Sequence, residues 1–180
     1  MASHASSVIV TTSAAAARAS DVLTFPLAAR PQAMTIYTRH VALGTETLSD
    51  SRIWSLGPAS FTAPLLLLQA TTANYVIYHA PISALSAVSS TVTVATYGQL
   101  VELCAQLYSD GAVQIHKSVD GGAITSGTKS AAKLLAQTWG SPLLTINGGT
   151  GAGVGFIGLR NLRADRGVWD LATMRRKAGV

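Results

Sequence analysis

Leu100 to Val119 reads LVELCAQLYSDGAVQIHKSV. Two runs that alternate between apolar and polar side chains flank Asp110-Gly111, a dipeptide whose residues tolerate positive φ and so favour a tight hairpin. Alternation with a period of two is the mark of a strand buried on one face. The stretch therefore predicts two antiparallel strands joined by a short turn. A rival signal lies downstream in NGGTGAGVGFIGLRNLRADRGVW, Asn147 to Trp169, where Gly153, Gly155 and Gly158 stand in the spacing GxGxxG. That spacing marks a dinucleotide site only where a strand precedes it, a helix opens on it and an acidic residue follows about 20 positions on. Here Gly155 and Gly158 fall inside an alternating stretch and no helix begins before Asp165. The glycines predict a tight loop running into a strand that another chain segment approaches closely. No GxxxxGK[ST] occurs either.

Working outward, the same period recurs. Val22–Ala28, Ala33–Leu43, Arg52–Gly57, Pro64–Thr71, Tyr75–Ala80 and Ser90–Tyr97 are short, rich in β-branched or aromatic residues, and bounded by Pro, Gly, Ser or Asp. Pro142–Asn147 and Gly155–Ala164 complete the set. Ser126–Trp139 breaks the period and reads as a long loop or a short helical turn. Helical spacing enters only at the end, where Val168, Leu171, Ala172 and Arg175 share one side, Asp165 or Asp170 stands near the start and basic residues fill the last turn. About ten strands of this length pack as two facing sheets, because a single open sheet would leave one apolar face wet. The expected fold is all-β: a two-sheet antiparallel jelly-roll sandwich over residues 21–180, with an extended N-terminal arm over residues 1–20 and a short C-terminal helix.

Composition narrows function. Of 180 residues, 48% are hydrophobic and 12% charged, about half the usual charged share, yet no apolar run reaches the ~18 residues that cross a bilayer. No membrane partner is expected, and a surface short of charge suits contact with other protein. The net charge of +5 invites a nucleic-acid reading. Most cations are scattered, however, and the C-terminal group of Arg160, Arg163, Arg166, Arg175, Arg176 and Lys177 has only Trp169 beside it, whereas a nucleic-acid face interleaves aromatics with its cations. Nucleic acid is not an expected partner. The N-terminus lacks the pattern of an export signal, so synthesis and use from the cytoplasm are expected.

Catalytic patterns are equally sparse. Cys104 is the single cysteine, which excludes an intrachain disulfide and leaves it the role of a small buried side chain. His40, His79 and His116 each fall in a predicted strand and His4 in the arm, without metal-ligand spacing. Glu46 and Glu102, the two glutamates, have no acidic neighbour of the kind a glycosidase pair needs, and no GxSxG elbow occurs. Asp50, Asp110 and Asp120 sit in predicted turns, where Asp bonds its own backbone. No catalytic residue, metal or cofactor is expected. Trp54 and Trp139, with Tyr75, Tyr78 and Tyr97, are the aromatics that either stack on a sugar or fill the core; Trp54 and Trp139 are the candidates for a carbohydrate or partner contact.

Two stretches carry a resemblance. VIVTTSAAAARASDVLTFP, Val8 to Pro26, with the following PQAMTIYTRHVALG, is similar to a motif in structural proteins of tailed bacteriophages that bear concanavalin-like (laminin-G-like) jelly-roll domains. GFIGLRNLRADRGVWDLATMRRKAG, Gly155 to Gly179, resembles the closing strand and helix of such domains. Together they cover about a third of the chain; the middle agrees in strand pattern alone, and no sugar or calcium position of the family maps onto it. The resemblance implies a non-enzymatic virion protein, assembled in the host cytoplasm, that decorates or cements a capsid as a homo-oligomer, with a trimer among the symmetries open to it. Its partner would be the phage capsid or another virion protein, with Val8, Ile9, Val10, Arg175 and Arg176 as assembly contacts. The alternative is a carbohydrate-binding module of a tail fibre or host-adhesion device, with a glycan on its exposed aromatics. A glycan hydrolase on the same fold would need two carboxylates facing each other across a groove.

Overall fold

A computed structural model describes residues 23–26, 33–42, 51–57, 66–71, 73–79, 88–131, 143–146 and 157–178. Eleven strands and one helix follow in chain order: β1 Leu23–Pro26, β2 Met34–Ala42, β3 Ser51–Gly57, β4 Leu66–Ala70, β5 Asn74–His79, β6 Val88–Thr93, β7 Leu100–Leu107, β8 Val113–Val119, β9 Thr125–Ser126, β10 Leu143–Ile146, β11 Ile157–Arg166 and α1 Leu171–Ala178. They form a six-stranded sheet ordered β1-β10-β3-β4-β5-β6 and a five-stranded sheet ordered β11-β2-β7-β8-β9. Every pairing is antiparallel. The two sheets face each other over one core, so the expected sandwich is the observed fold. Each long predicted strand is present within one or two residues of its expected ends, except that β6 stops at Thr93, four residues short of the expected Tyr97. β9 was not expected, being two residues long. Residues 1–20, with Val8, Ile9 and Val10, and residues 132–142, with Trp139, lie outside the described residues.

The hairpin at the centre of the five-stranded sheet closes as its sequence requires. Tyr108 and Ala112 pair through the Tyr108 amide (2.9 Å), and Gly111 takes φ 84°, the left-handed residue of a three-residue loop. Asp110 turns its carboxylate onto the Ala112 amide at 3.1 Å. The next turn uses Asp120 and Gly121, both at positive φ (51° and 73°), with the Gly122 amide bonded to Val119 O at 2.8 Å. That is the two-residue turn that Asp-Gly favours. Asp120 also ties the turn to the start of β7 by accepting from the Leu100 amide at 2.9 Å.

Alternation sends Met34, Ile36 and Ala42 of β2, Val101, Leu103, Ala105 and Leu107 of β7, and Val113 and Ile115 of β8 into the core against Ile53, Leu56, Leu66, Leu68 and Ile77 of the other sheet. Trp54 is 0% exposed among them. Its indole N–H donates across the sandwich to Thr38 Oγ1 at 3.2 Å, which satisfies its one polar atom. Trp54 is therefore a core residue and offers no face to a sugar, a correction to its place among the candidate contacts. Tyr75 is buried as well; its ring meets His40 edge-on at 5.8 Å.

The sandwich closes at one edge by direct contact between sheets. Ser90 Oγ of β6 accepts from the Ile115 amide of β8 at 3.3 Å. Lys117 reaches across to Thr93 O at 2.7 Å and Thr93 Oγ1 at 3.0 Å. Gly127 sits in the same seam. A Cβ there would lie 2.3 Å from Thr91 O and 2.8 Å from Ser90 Oγ, so the approach of the two backbones requires glycine.

The helix begins at Asp170, whose carboxylate accepts from the Thr173 amide at 2.6 Å, and its last turn carries Arg175, Arg176 and Lys177. Its buried side differs from the one the spacing predicts. Trp169 and Met174 pack inward, while Leu171 is 49% exposed and Ala172 and Arg175 face solvent. The reason is the turn before the helix. Gly167, at φ 85°, gives its amide to Ala33 O, and Thr35 Oγ1 donates to Gly167 O (3.0 Å) and accepts from the Trp169 amide (3.2 Å). That clamp sets the rotation of the helix before its own apolar pattern can. No helix among the described residues is long and apolar enough to cross a membrane.

Two outcomes follow for stability. Gly127→Ala is expected to lower unfolding free energy by about 2 kcal/mol or more, since the Thr91 carbonyl oxygen it would meet is backbone and cannot move aside; urea unfolding measures it, and a change under 0.5 kcal/mol (about the scatter of surface substitutions) would contradict the seam. Burial in the core pushes the His40 imidazole down to about 4, so His40 stays neutral in the fold while the unfolded chain takes up a proton below its ordinary value near 6.5. The stabilisation is full above pH 6.5 and declines as the pH falls towards 4, by about 2 to 3 kcal/mol between pH 7 and pH 4.5. His40→Leu should flatten that part of the pH dependence.

Candidate functional site

In a simple sandwich the outer face of each sheet meets water. Here the outer face of the five-stranded sheet is covered. Register places Tyr37, Cys104 and His116 in one row across β2, β7 and β8, with Thr35, Gln106 and Gln114 on one side of it and Arg39, Glu102 and Ser118 on the other. Trp169 and Met174 lie over Tyr37 and Cys104 in a second apolar cluster, the Tyr37 and Trp169 rings 6.1 Å apart. Lys177 stands over the Trp169 ring at 4.5 Å and pairs with Asp165. Arg163 binds the same carboxylate at 2.7 Å, and these bonds hold the Asp165 carboxyl below its usual range.

Polar side chains trapped under this cover form a network. Gln106 donates to Trp169 O at 2.7 Å, which turns its Oε1 toward Tyr108 Oη (2.9 Å) and His116 Nε2 (3.1 Å). His116 therefore carries its proton on Nε2, and Nδ1 accepts from Ser126 Oγ at 2.8 Å. Burial lowers the His116 pKa, so the ring is a neutral strut.

Beyond the edge of the helix the cover stops and a small, open hollow begins, whose empty volume of ≈ 360 Å³ includes the solvent at its mouth. Tyr37, Glu102 and Cys104 are on the sheet side, Ile124 comes from the segment between β8 and β9, and Met174 and Arg175 come from the helix. Glu102 is 5% exposed. Its Oε1 accepts from Tyr37 Oη at 2.8 Å and lies 3.5 Å from Arg39 Nε. Its Oε2, equally buried, has no hydrogen-bond partner among the described residues. A buried carboxylate oxygen without a donor is costly, and this one belongs to a residue that lines an opening.

Burial, and then the hydrogen bond to Glu102, raise the Tyr37 hydroxyl well above the usual phenol range, so it remains a donor to the carboxylate at any working pH. Burial, with the Glu102 charge adding to it, pushes the Cys104 thiol up to about 12. Cys104 is thus a neutral wall and not a nucleophile, in keeping with the small buried role its alternation implies. Glu102 is the one carboxylate lining the hollow, and no group of three metal-ligating side chains occurs among the described residues.

Of the sequence candidates, Arg175 lies at this site and Arg176, beside it, is exposed on the helix. Trp54 is in the core and the remaining candidates are outside the described residues. Among the described residues the large exposed aromatic is Tyr97, 70% exposed in the turn between β6 and β7. The meeting of Glu102 with Tyr37 and Arg39 escaped sequence reasoning because Glu102 lies 65 positions from Tyr37 and reaches the pair only through register. The available signal was a Glu in the middle of an alternating strand.

No protein-family model matches this sequence, and no curated protein matches it. Solved structures do. A CBM40 of the Ruminococcus gnavus IT-sialidase, bound to α2,3-sialyllactose, aligns with a TM-score of 0.58 at 13% identity over 83% of this chain and 84% of that one. The receptor-binding domain of botulinum neurotoxin type G aligns at 0.55 and 11% identity over 89% of this chain. The LG1–3 region of the laminin α2 chain aligns at 0.54 and 13% over 81%. The chain has the concanavalin-like jelly-roll fold. It spans 44% of the toxin chain and 30% of the laminin chain, and at these identities the likeness shows the fold alone.

The Cys104 environment is directly measurable. In the native protein at pH 8, iodoacetamide should leave Cys104 unmodified over hours while the urea-unfolded chain reacts within minutes; rapid native alkylation, read by mass spectrometry, would contradict both its burial and its raised pKa.

Proposed function

We propose that this chain is a non-catalytic carbohydrate-binding module, and that the hollow beside α1 takes the end of one sugar unit. The observation that carries the reading is the unpartnered Oε2 of Glu102. An acceptor already held in place by Tyr37 and Arg39 needs a donor from outside, and a sugar hydroxyl is a donor of the right size for a narrow opening. Cys104, Ile124 and Met174 supply apolar walls for the C–H faces of a sugar. The glycan-bound CBM40 of similar fold supports the ligand class. A single carboxylate in the hollow supports binding over hydrolysis, which uses two.

This reading takes the second of the two functions that the sequence suggests and moves its seat from Trp54 to Glu102. The capsid-decorating role rests on the resemblance of the two terminal stretches, and none of the structural likenesses bears on a virion.

A glycan array followed by calorimetry tests the proposal. Wild-type protein should bind a defined subset of glycans. Glu102→Gln, which keeps the shape but removes the charge, should weaken binding about tenfold or more, and Ile124→Trp, at the edge of the opening, should abolish it. Both variants are checked for unchanged thermal unfolding. Binding lost in Tyr97→Ala but retained in Glu102→Gln and Ile124→Trp would overturn the assignment and move the site to the β6–β7 turn.

A further inference from the structure

The hollow has chemistry on two sides. On the sheet side is Glu102, buried, with its Oε2 unpartnered among the described residues. On the helix side is Arg175, exposed on α1 and without an ion-pair partner among the described residues. Met174 and Ile124 add apolar side chains to the same lining. The charge balance around the opening is positive. Arg39, 39% exposed, stands against Glu102, and Arg175 adds a second guanidinium to a lining that holds one carboxylate among the described residues. Lys117 does not alter this balance, because its ammonium group points to the opposite side of the sheet, onto Thr93. Arg163, over the Trp169 ring, and Arg176, exposed on α1, are further cations outside the lining of the hollow. Asp165 is already engaged by Arg163 and Lys177.

On the carbohydrate reading just given, we infer that the hollow selects an acidic sugar: one that inserts a hydroxyl onto Glu102 and holds its own anionic substituent at Arg175. Each side excludes a different class of ligand. A simple anion without hydroxyl groups finds the Glu102 carboxylate and is repelled. A cationic amino sugar suits Glu102 but meets the guanidinium groups of Arg39 and Arg175. A neutral sugar satisfies Glu102 and leaves Arg175 idle. Only a sugar with both a donor and an anion uses both sides. Arg175 presents a planar fork of donors matched to carboxylate or sulfate oxygens. The surrounding cations raise the local concentration of anions and speed their capture at low salt.

The test is a comparison of matched neutral, carboxylated and sulfated oligosaccharides binding to the full chain, by calorimetry at low and high salt. Carboxylated or sulfated ligands should bind about tenfold or more tightly than their neutral counterparts, with an advantage that shrinks as salt rises. Whichever anion gives the larger advantage identifies the substituent. Arg175→Gln should bring the acidic-to-neutral ratio near one, whereas Arg176→Gln, a charge change one residue away that does not line the hollow, should leave most of the ratio intact. Equal loss from the two variants would mean a diffuse positive field and would overturn the seat at Arg175. Neutral glycans bound as tightly as acidic ones would overturn the inference and leave the carbohydrate reading standing. Absence of binding to any glycan would overturn both.

Discussion

The central strand β7 is buried on both faces, and the rest of the molecule follows from that constraint. One face supplies Leu103, Ala105 and Leu107 to the sandwich core. The other carries Glu102, Cys104 and Gln106, which an ordinary sandwich would leave in water. The helix at the end of the chain covers them instead, docked by Trp169 and Met174. Buried polar groups must then find partners. Gln106 finds three, in Trp169, Tyr108 and His116, and His116 in turn bonds Ser126. Glu102 finds a donor for one oxygen, while the other, buried beside the hollow, has no hydrogen-bond partner among the described residues.

This arrangement separates the contacts that hold the two sheets together from the face that carries the hollow. The seam formed by Ser90, Thr93, Lys117 and Gly127 and the core around Trp54 hold the two sheets together. The face that carries the hollow lies outside that core, so its side chains can be altered without opening the sandwich. The rigid strands β2, β7 and β8 fix Tyr37, Arg39 and Glu102 relative to one another, and the helix contributes the side of the opening that holds Arg175. Sites built on strands in this way are prepared before a ligand arrives, which lowers the entropy lost on binding.

Local signals made most of the fold legible. The alternating runs, the Asp110-Gly111 and Asp120-Gly121 turns and the Asp170 cap each reflect a preference of a few neighbouring residues, and each is found in the structure. The side of α1 that packs inward was not legible. Apolar spacing pointed to Val168, Leu171 and Ala172, while the Gly167 turn and its bonds to Ala33 and Thr35, more than 130 positions away, rotate Trp169 and Met174 inward. Trp54 shows the same limit. An aromatic in a strand is equally suited to core or surface until the facing sheet supplies Thr38 for its N–H.

Sequence alone determined that this chain forms two antiparallel sheets, because alternation and turn chemistry act between neighbours along the chain. Alternation also assigned Gly158 to a strand and not to the start of a helix, and Gly158 lies in β11 opposite Val41. Tertiary structure alone decided where the chain could bind something. Tyr37, Arg39, Glu102 and Arg175 come from β2, β7 and α1, and the meeting of a carboxylate with its donors depends on strand register and on the angle at which the last helix lands. Those are long-range quantities, set by packing, that no short stretch of residues encodes.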